Sequence, residues 1–89
     1  MNPRPLDHPR RVGPHVAATL DMLHAMQIRH VEVYRTKHVR IEFDVGGFHF
    51  TIHTSCTPRD SDVEFRRIRQ EVTKRAAEVH QALGYGGAR

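Results

Sequence analysis

The chain predicts an α+β domain in the order α-β-β-β-α: a three-stranded antiparallel meander with both helices packed on one face. Three observations carry that expectation. Apolar residues alternate with polar ones from Val39 to Ile52 around a Gly46-Gly47 pair. They recur at steps of three and four from Phe65 to Leu83, and more briefly from Val16 to Met26 after Gly13-Pro14. Side chains alternate sides along a strand and return to one side every three or four residues along a helix, so the two periods separate the elements. Each strand then has one apolar face and each helix one apolar stripe. Placing both helices on the same side buries them all and leaves the other side of the sheet wet.

Residues 1–12 hold Pro3, Pro5 and Pro9 among several charges without periodicity, and read as a flexible arm ahead of a single domain over 13–84. Pro14 suits the first helical position, where its missing N–H has no role. The helix runs over about residues 14–26, with Val16, Leu20, Leu23 and Met26 or Gln27 inward and Thr19, Asp21 and His24 on the opposite face. Val31 and Val33 alternate with His30, Glu32 and Tyr34 to give the first strand. A three-residue connection, Arg35-Thr36-Lys37, sets Val33 beside Val39, Val31 beside Ile41, Glu32 beside Arg40 and Tyr34 beside His38. It is preferred to a longer loop because the latter places Glu32 against Glu42.

Val39, Ile41, Phe43 and Val45 form the inward set of the second strand, and Phe48, Phe50 and Ile52 that of the third. Gly46-Gly47 supplies the positive φ angles of a tight hairpin turn and pairs Val45 with Phe48, Phe43 with Phe50, Ile41 with Ile52, Arg40 with His53 and His38 with Ser55. Thr57-Pro58-Arg59-Asp60 and Ser61-Asp62-Val63-Glu64 both resemble capping boxes, the second being the stricter match. The helix that follows buries Phe65, Ile68, Val72, Ala76, Val79 and Leu83, turns Arg66, Arg67, Arg69, Lys74 and Arg75 to its other faces, and closes at Gly84. Residues 85–89 read as a tail.

An 89-residue chain with 38% hydrophobic residues and no Trp makes one domain with a thin core, in which Phe43, Phe48, Phe50 and Phe65 are the largest candidates. No apolar run approaches the roughly 18–20 residues that cross a bilayer, and the polar start lacks a secretion signal, so no membrane role is expected and a cytoplasmic location is. A single cysteine, Cys56, excludes an internal disulfide and fits a reducing compartment. The formal charge is +4 with eight histidines, a balance that favours a nucleic-acid partner.

The open sheet face gathers His38, Arg40, His49 and His53. An imidazole there can act as acid or base toward a ribose hydroxyl while Arg40 holds the phosphate, since histidine titrates near neutrality. The same groups can also bind without catalysis, or simply decorate exposed strand positions with Arg40 balancing Glu32 and Glu42. His49 and His53 lie about 13 Å apart at roughly 3.3 Å per residue, too far to share one ion, so neither a closed zinc site nor any other cofactor is expected. Cys56, three residues past His53 and without a third group, reads as a partly buried, inert thiol. The arginines of the second helix offer either a solvated face or a phosphate-binding rim.

The run from Leu23 through Arg35-Thr36-Lys37-His38, a strand, the Gly46-Gly47 turn, another strand, and Thr57-Pro58-Arg59-Asp60 into an Arg-rich helix resembles the small HicA toxins of bacterial toxin–antitoxin systems and their phage-borne relatives. The likeness covers about residues 14–83. It implies a double-stranded-RNA-binding-like fold and a ribosome-independent mRNA endonuclease activity, a hydrolase chemistry. It also implies an antitoxin partner and a catalytic histidine at the start of the second strand, which is His38. This chain has Thr36-Lys37-His38 where the family usually has Gly-Ser-His or Gly-Thr-His. The expected RNA contacts are Lys37, Arg40 and His53 on the sheet side and Arg59 and Arg66 at the start of the second helix. The competing expectation is a non-catalytic phage or mobile-element protein whose open sheet face binds a protein, such as an inhibitor of host defence.

Overall fold

The computed structural model describes residues 4–83. A 3-10 turn (Pro9–Val12) leads into helix α1 (Pro14–Ala25), strands β1 (Val31–Arg35), β2 (Val39–Val45) and β3 (Phe48–Thr54), and helix α2 (Ser61–Ala82). The strands form one antiparallel sheet in the order β1-β2-β3, and α1 and α2 share one core against it, as the sequence predicts. The expected stop at Gly84 and the tail over 85–89 lie outside the described residues.

The core joins Val16, Leu20 and Leu23 of α1 to Val33, Val39, Ile41, Phe43 and Ile52 of the sheet and to Ile68 and Val72 of α2. Phe43 and Phe50 face each other across the strand pair with ring centroids 6.1 Å apart and planes tilted by 42°, an arrangement aromatic pairs favour. Phe48, expected among the core residues, is 44% exposed. It sits at the hairpin end, lining a notch with Val79 and Ala82 of the last turns of α2, where helix cover runs out.

One further expectation, on α1, changes. Thr19, assigned to the solvent face, is buried and donates its hydroxyl to the His15 carbonyl at 2.8 Å. That bond is the usual way a threonine is satisfied inside a helix. His15 is also buried, and its Nε2–H donates to the Ser55 carbonyl at 2.8 Å, pinning α1 to the connector after β3. Gly13 makes room for that ring: a Cβ there would lie 2.9 Å from its Cε1. Upstream, the Leu6 N–H donates to the Val33 carbonyl at 2.7 Å, and Leu6 and Val12 pack against the core.

The hairpin follows its expected register from Val45↔Phe48 to Arg40↔His53. Gly46 and Gly47 have φ angles of 58° and 86°. Positive φ at both central positions is what a two-residue hairpin turn demands. The β1–β2 pairing does not follow its expectation. The connection is Thr36-Lys37-His38, and the partners are Val33↔Ile41, Tyr34↔Arg40 and Glu32↔Glu42. A two-residue slip keeps every side chain on its own face, so hydrophobic alternation cannot choose between the registers. Polar contacts offset the like-charge pair. Arg40 forms an ion pair with Glu42 and holds its guanidinium carbon 4.6 Å over the Tyr34 ring. The Tyr34 hydroxyl donates to Glu32 at 3.1 Å, and His49 reaches Glu42 at 3.1 Å.

The helix cap also differs. Asp60, not Ser61, caps α2: its carboxylate accepts from the Asp62 and Val63 N–H groups at 3.0 and 3.2 Å. A charged acceptor satisfies those two orphan donors and faces the positive end of the helix dipole. Glu64 is thereby released from the capping role and is free for the contacts described next.

Candidate functional site

His53 lies near the end of β3, opposite Arg40 on β2. His38 is the last residue of the connection before β2. Both rings are exposed, and both line one shallow depression of about 430 Å³ together with Thr54, Ser55, Glu64 and Arg67. The position of His38 is held from two directions. Its carbonyl accepts the Thr36 N–H at 3.0 Å, and the Cys56 thiol donates to the neighbouring Lys37 carbonyl at 3.7 Å.

The remaining wall is built by one arginine. Arg67 Nε and Nη2 meet the two Glu64 oxygens at 3.1 and 2.8 Å, a bidentate fork. Its Nη1 reaches Glu71 at 3.4 Å, and Nη2 also donates to the His53 carbonyl at 2.8 Å. α2 is therefore stapled to the edge of β3 at the residue whose imidazole faces the depression. Glu64 additionally accepts from the Thr54 hydroxyl. The Arg67 guanidinium, with help from Thr54, holds the Glu64 carboxyl down at about 2, against the opposing effect of burial. Glu64 in turn raises the Arg67 guanidinium above its ordinary range. Charge-assisted bidentate pairs of this kind are the strongest hydrogen bonds in proteins.

Of the residues singled out from sequence, the structure brings His38 and His53 to one depression and does not bring the others to it. Lys37 is exposed in the β1–β2 connection, Arg59 in the connector before α2, and Arg66 on α2 itself. Arg40 stands beside His53 in the ladder, but its guanidinium is turned over Tyr34 and paired with Glu42. The arginine at the depression is Arg67, which the periodicity marks only as one of five exposed cations on the helix. Its signal is the Glu64–Arg67–Glu71 spacing at i, i+3 and i+4, which puts the three on one helix face. Thr54 and Ser55 carry no comparable signal.

The outer sheet face is less basic than the net charge suggests. It carries Glu32, Glu42 and Asp44 against Arg40, with His49 donating to Asp44 at 2.8 Å. Unpaired positive charge lies on α2 instead, where Arg66, Arg69 and Lys74 have no ion-pair partner among the described residues. Among the described residues no three His, Cys, Asp or Glu side chains converge as metal ligands, and no helix is long and apolar enough to cross a membrane. Comparison with protein-family models, with curated proteins and with solved structures finds no match for the chain.

Proposed function

We propose that the chain is an RNA-binding protein of HicA-like fold that cleaves a phosphodiester by acid–base chemistry, with His38 and His53 as the proton-transferring pair. One observation supports this reading above the others: two exposed imidazoles, from different elements, line the same open depression. Cleavage at a ribose needs a base for the 2′ hydroxyl and an acid for the departing 5′ oxygen, and two imidazoles in opposite protonation states supply both. His38 takes the 2′ proton as O2′ attacks phosphorus. His53 protonates the 5′ oxygen as its bond to phosphorus breaks, leaving a 2′,3′-cyclic phosphate and a 5′ hydroxyl. Arg67 keeps the His53 backbone in place through its carbonyl, and the Lys37 ammonium stands one residue from His38 for the non-bridging oxygens. Arg59 and Arg66 extend positive charge along the start of α2 toward the flanking phosphates.

The test is direct. Purified protein is incubated with single-stranded RNA and a chelator across a pH series, and the products are resolved by length and end group. The expected result is cleavage with a bell-shaped pH dependence and cyclic-phosphate ends, lost in both His38→Ala and His53→Ala.

A second reading has its own observation. Three carboxylates on the outer face repel a phosphate backbone and suit a basic protein surface. An RNA assay that shows neither binding nor cleavage favours that protein partner. RNA binding that weakens steeply with salt but yields no products favours a non-catalytic module.

A further inference from the structure

A second depression, of about 480 Å³, shares no residue with the His38–His53 site and lies against the other edge strand. One wall is the segment from Asp7 to Arg11, which is anchored at several points. Leu6 is hydrogen-bonded to β1, the Pro9–Val12 turn packs on α1, and Arg10 is ion-paired with Asp21. The opposite wall comes from the chain after α1. Gln27 adopts a left-handed φ of 65° there, and the turn it makes delivers Arg29 to the rim.

The lining has two chemistries. Leu20 and Val31 make an apolar floor, while Arg10, Arg11 and Arg29 stand around it, with the His24 ring beside them. Arg10 is neutralised by Asp21, but Arg11 and Arg29 are exposed and have no side-chain partner among the described residues. Asp7 is the one carboxylate on the lining, so the rim remains positive. A concave apolar floor under unpaired guanidiniums suits a ligand with a flat apolar body and an anionic end. Guanidinium forks match phosphate oxygens bidentately, and a depression of this volume is in the size range of small-molecule sites.

We propose that this depression binds a nucleotide through its phosphate ester, with Arg11 and Arg29 holding the phosphate and the base covering Leu20 and Val31. The nucleotide is either free or one unit of a single-stranded RNA. The site does not depend on the acid–base reading of His38 and His53, because the two share no groups.

The test uses the full chain, calorimetric titration and amide chemical-shift mapping, with 5′-AMP, inorganic phosphate and a single-stranded hexaribonucleotide as probes. 5′-AMP is expected to shift the amides of His8, Arg11, His24 and Arg29 and to bind more tightly than inorganic phosphate. The double variant Arg11→Ala/Arg29→Ala, with an unchanged circular dichroism spectrum, is expected to bind it at least tenfold more weakly. Displacement of 5′-AMP by the hexaribonucleotide upholds the site and assigns it to RNA. Retention of 5′-AMP against it upholds the site and assigns it to free nucleotide. Shifts confined to residues around His38 and His53, or a double variant within twofold of wild type, would overturn the proposal, as would inorganic phosphate binding as tightly as 5′-AMP.

Discussion

His49 and His53 stand four residues apart on β3 and project from the same face, yet their surroundings give them opposite fates. His49 sits across from Asp44, with Glu42 on the diagonal, and its two ring nitrogens donate to those carboxylates at 2.8 and 3.1 Å. Asp44, with help from Glu42, raises this imidazole above its ordinary pKa. His53 sits across from Arg40, meets no carboxylate, and opens onto a depression it shares with His38. Residue type and face are identical, and only the partner in register differs. The histidine at one end of the strand is held in a salt bridge, and the one at the other end is left exposed on the depression.

The comparison can be broken most severely at the level of activity. His38→Ala and His53→Ala should each lower RNA cleavage by about 10²–10⁴-fold, the usual worth of a positioned acid or base. His49→Ala should leave the rate within about twofold. Equal losses for His49 and His53, measured as initial rates on one substrate, would erase the distinction drawn here.

Register is the next point of attack, because the turn decides who faces whom. Gly46 has φ +58°, and a Cβ there would come within 2.8 Å of Val79 Cγ1. Gly46→Val should therefore destabilise the fold by about 2–3 kcal/mol, combining strain with the clash. Gly47→Ala, at φ +86° but facing open space, should be milder, at about 1 kcal/mol. Urea unfolding of both variants would show whether the clash adds to the backbone effect, and equal losses would rule it out.

A finer test concerns the staple beneath His53. The Glu64 carboxyl is held at about 2 against an ordinary value of 4.5. Its stabilisation is therefore fully present above about pH 4.5 and is lost as the pH falls toward 2. Glu64→Gln should lower stability by about 1–2 kcal/mol at neutral pH, allowing for partial exposure of the pair. The variant should also show a flatter dependence of Tm on pH between 4.5 and 2. A wild-type profile that is already flat there would refute the clamp.

The smallest effect belongs to His49. Its raised pKa means that its contribution is present below the ordinary histidine value of 6.5 and fades as the pH rises through the folded value. His49→Gln should therefore differ from wild type in Tm at pH 5.5 and converge with it in mildly alkaline buffer. A gap that widens with pH would reverse the sign of the argument.

Much of the architecture is legible from residue order because periodicity and turn chemistry act locally. Alternation around Gly46-Gly47 specifies the hairpin and its register, and the Phe65–Leu83 stripe specifies α2. Several of the misreadings concern choices that local rules leave degenerate. The β1–β2 register slips by an even number, which preserves every face; in the register adopted, Arg40 lies across from Tyr34 and covers its ring. Both capping boxes before α2 satisfy the same rule, yet the cap is Asp60, the N-cap of neither box, whose carboxylate meets the helix N–H groups. Thr19 reads as solvent-facing on a helical wheel but is covered in the packed structure. At the candidate site, His38 and His53 stand out in the chain, whereas Arg67 is indistinguishable from its basic neighbours until α2 is laid beside β3.

Residue order alone thus determined the element sequence, the hairpin register and the identity of the exposed imidazoles, since each depends on neighbours within a few positions. Which arginine lines the depression of those imidazoles, which histidine is neutralised, and how the N-terminal segment walls a second depression were decided only by tertiary packing. Those outcomes depend on groups far apart in the chain, such as Arg67 with the His53 carbonyl and Leu6 with Val33, whose meeting no local pattern encodes.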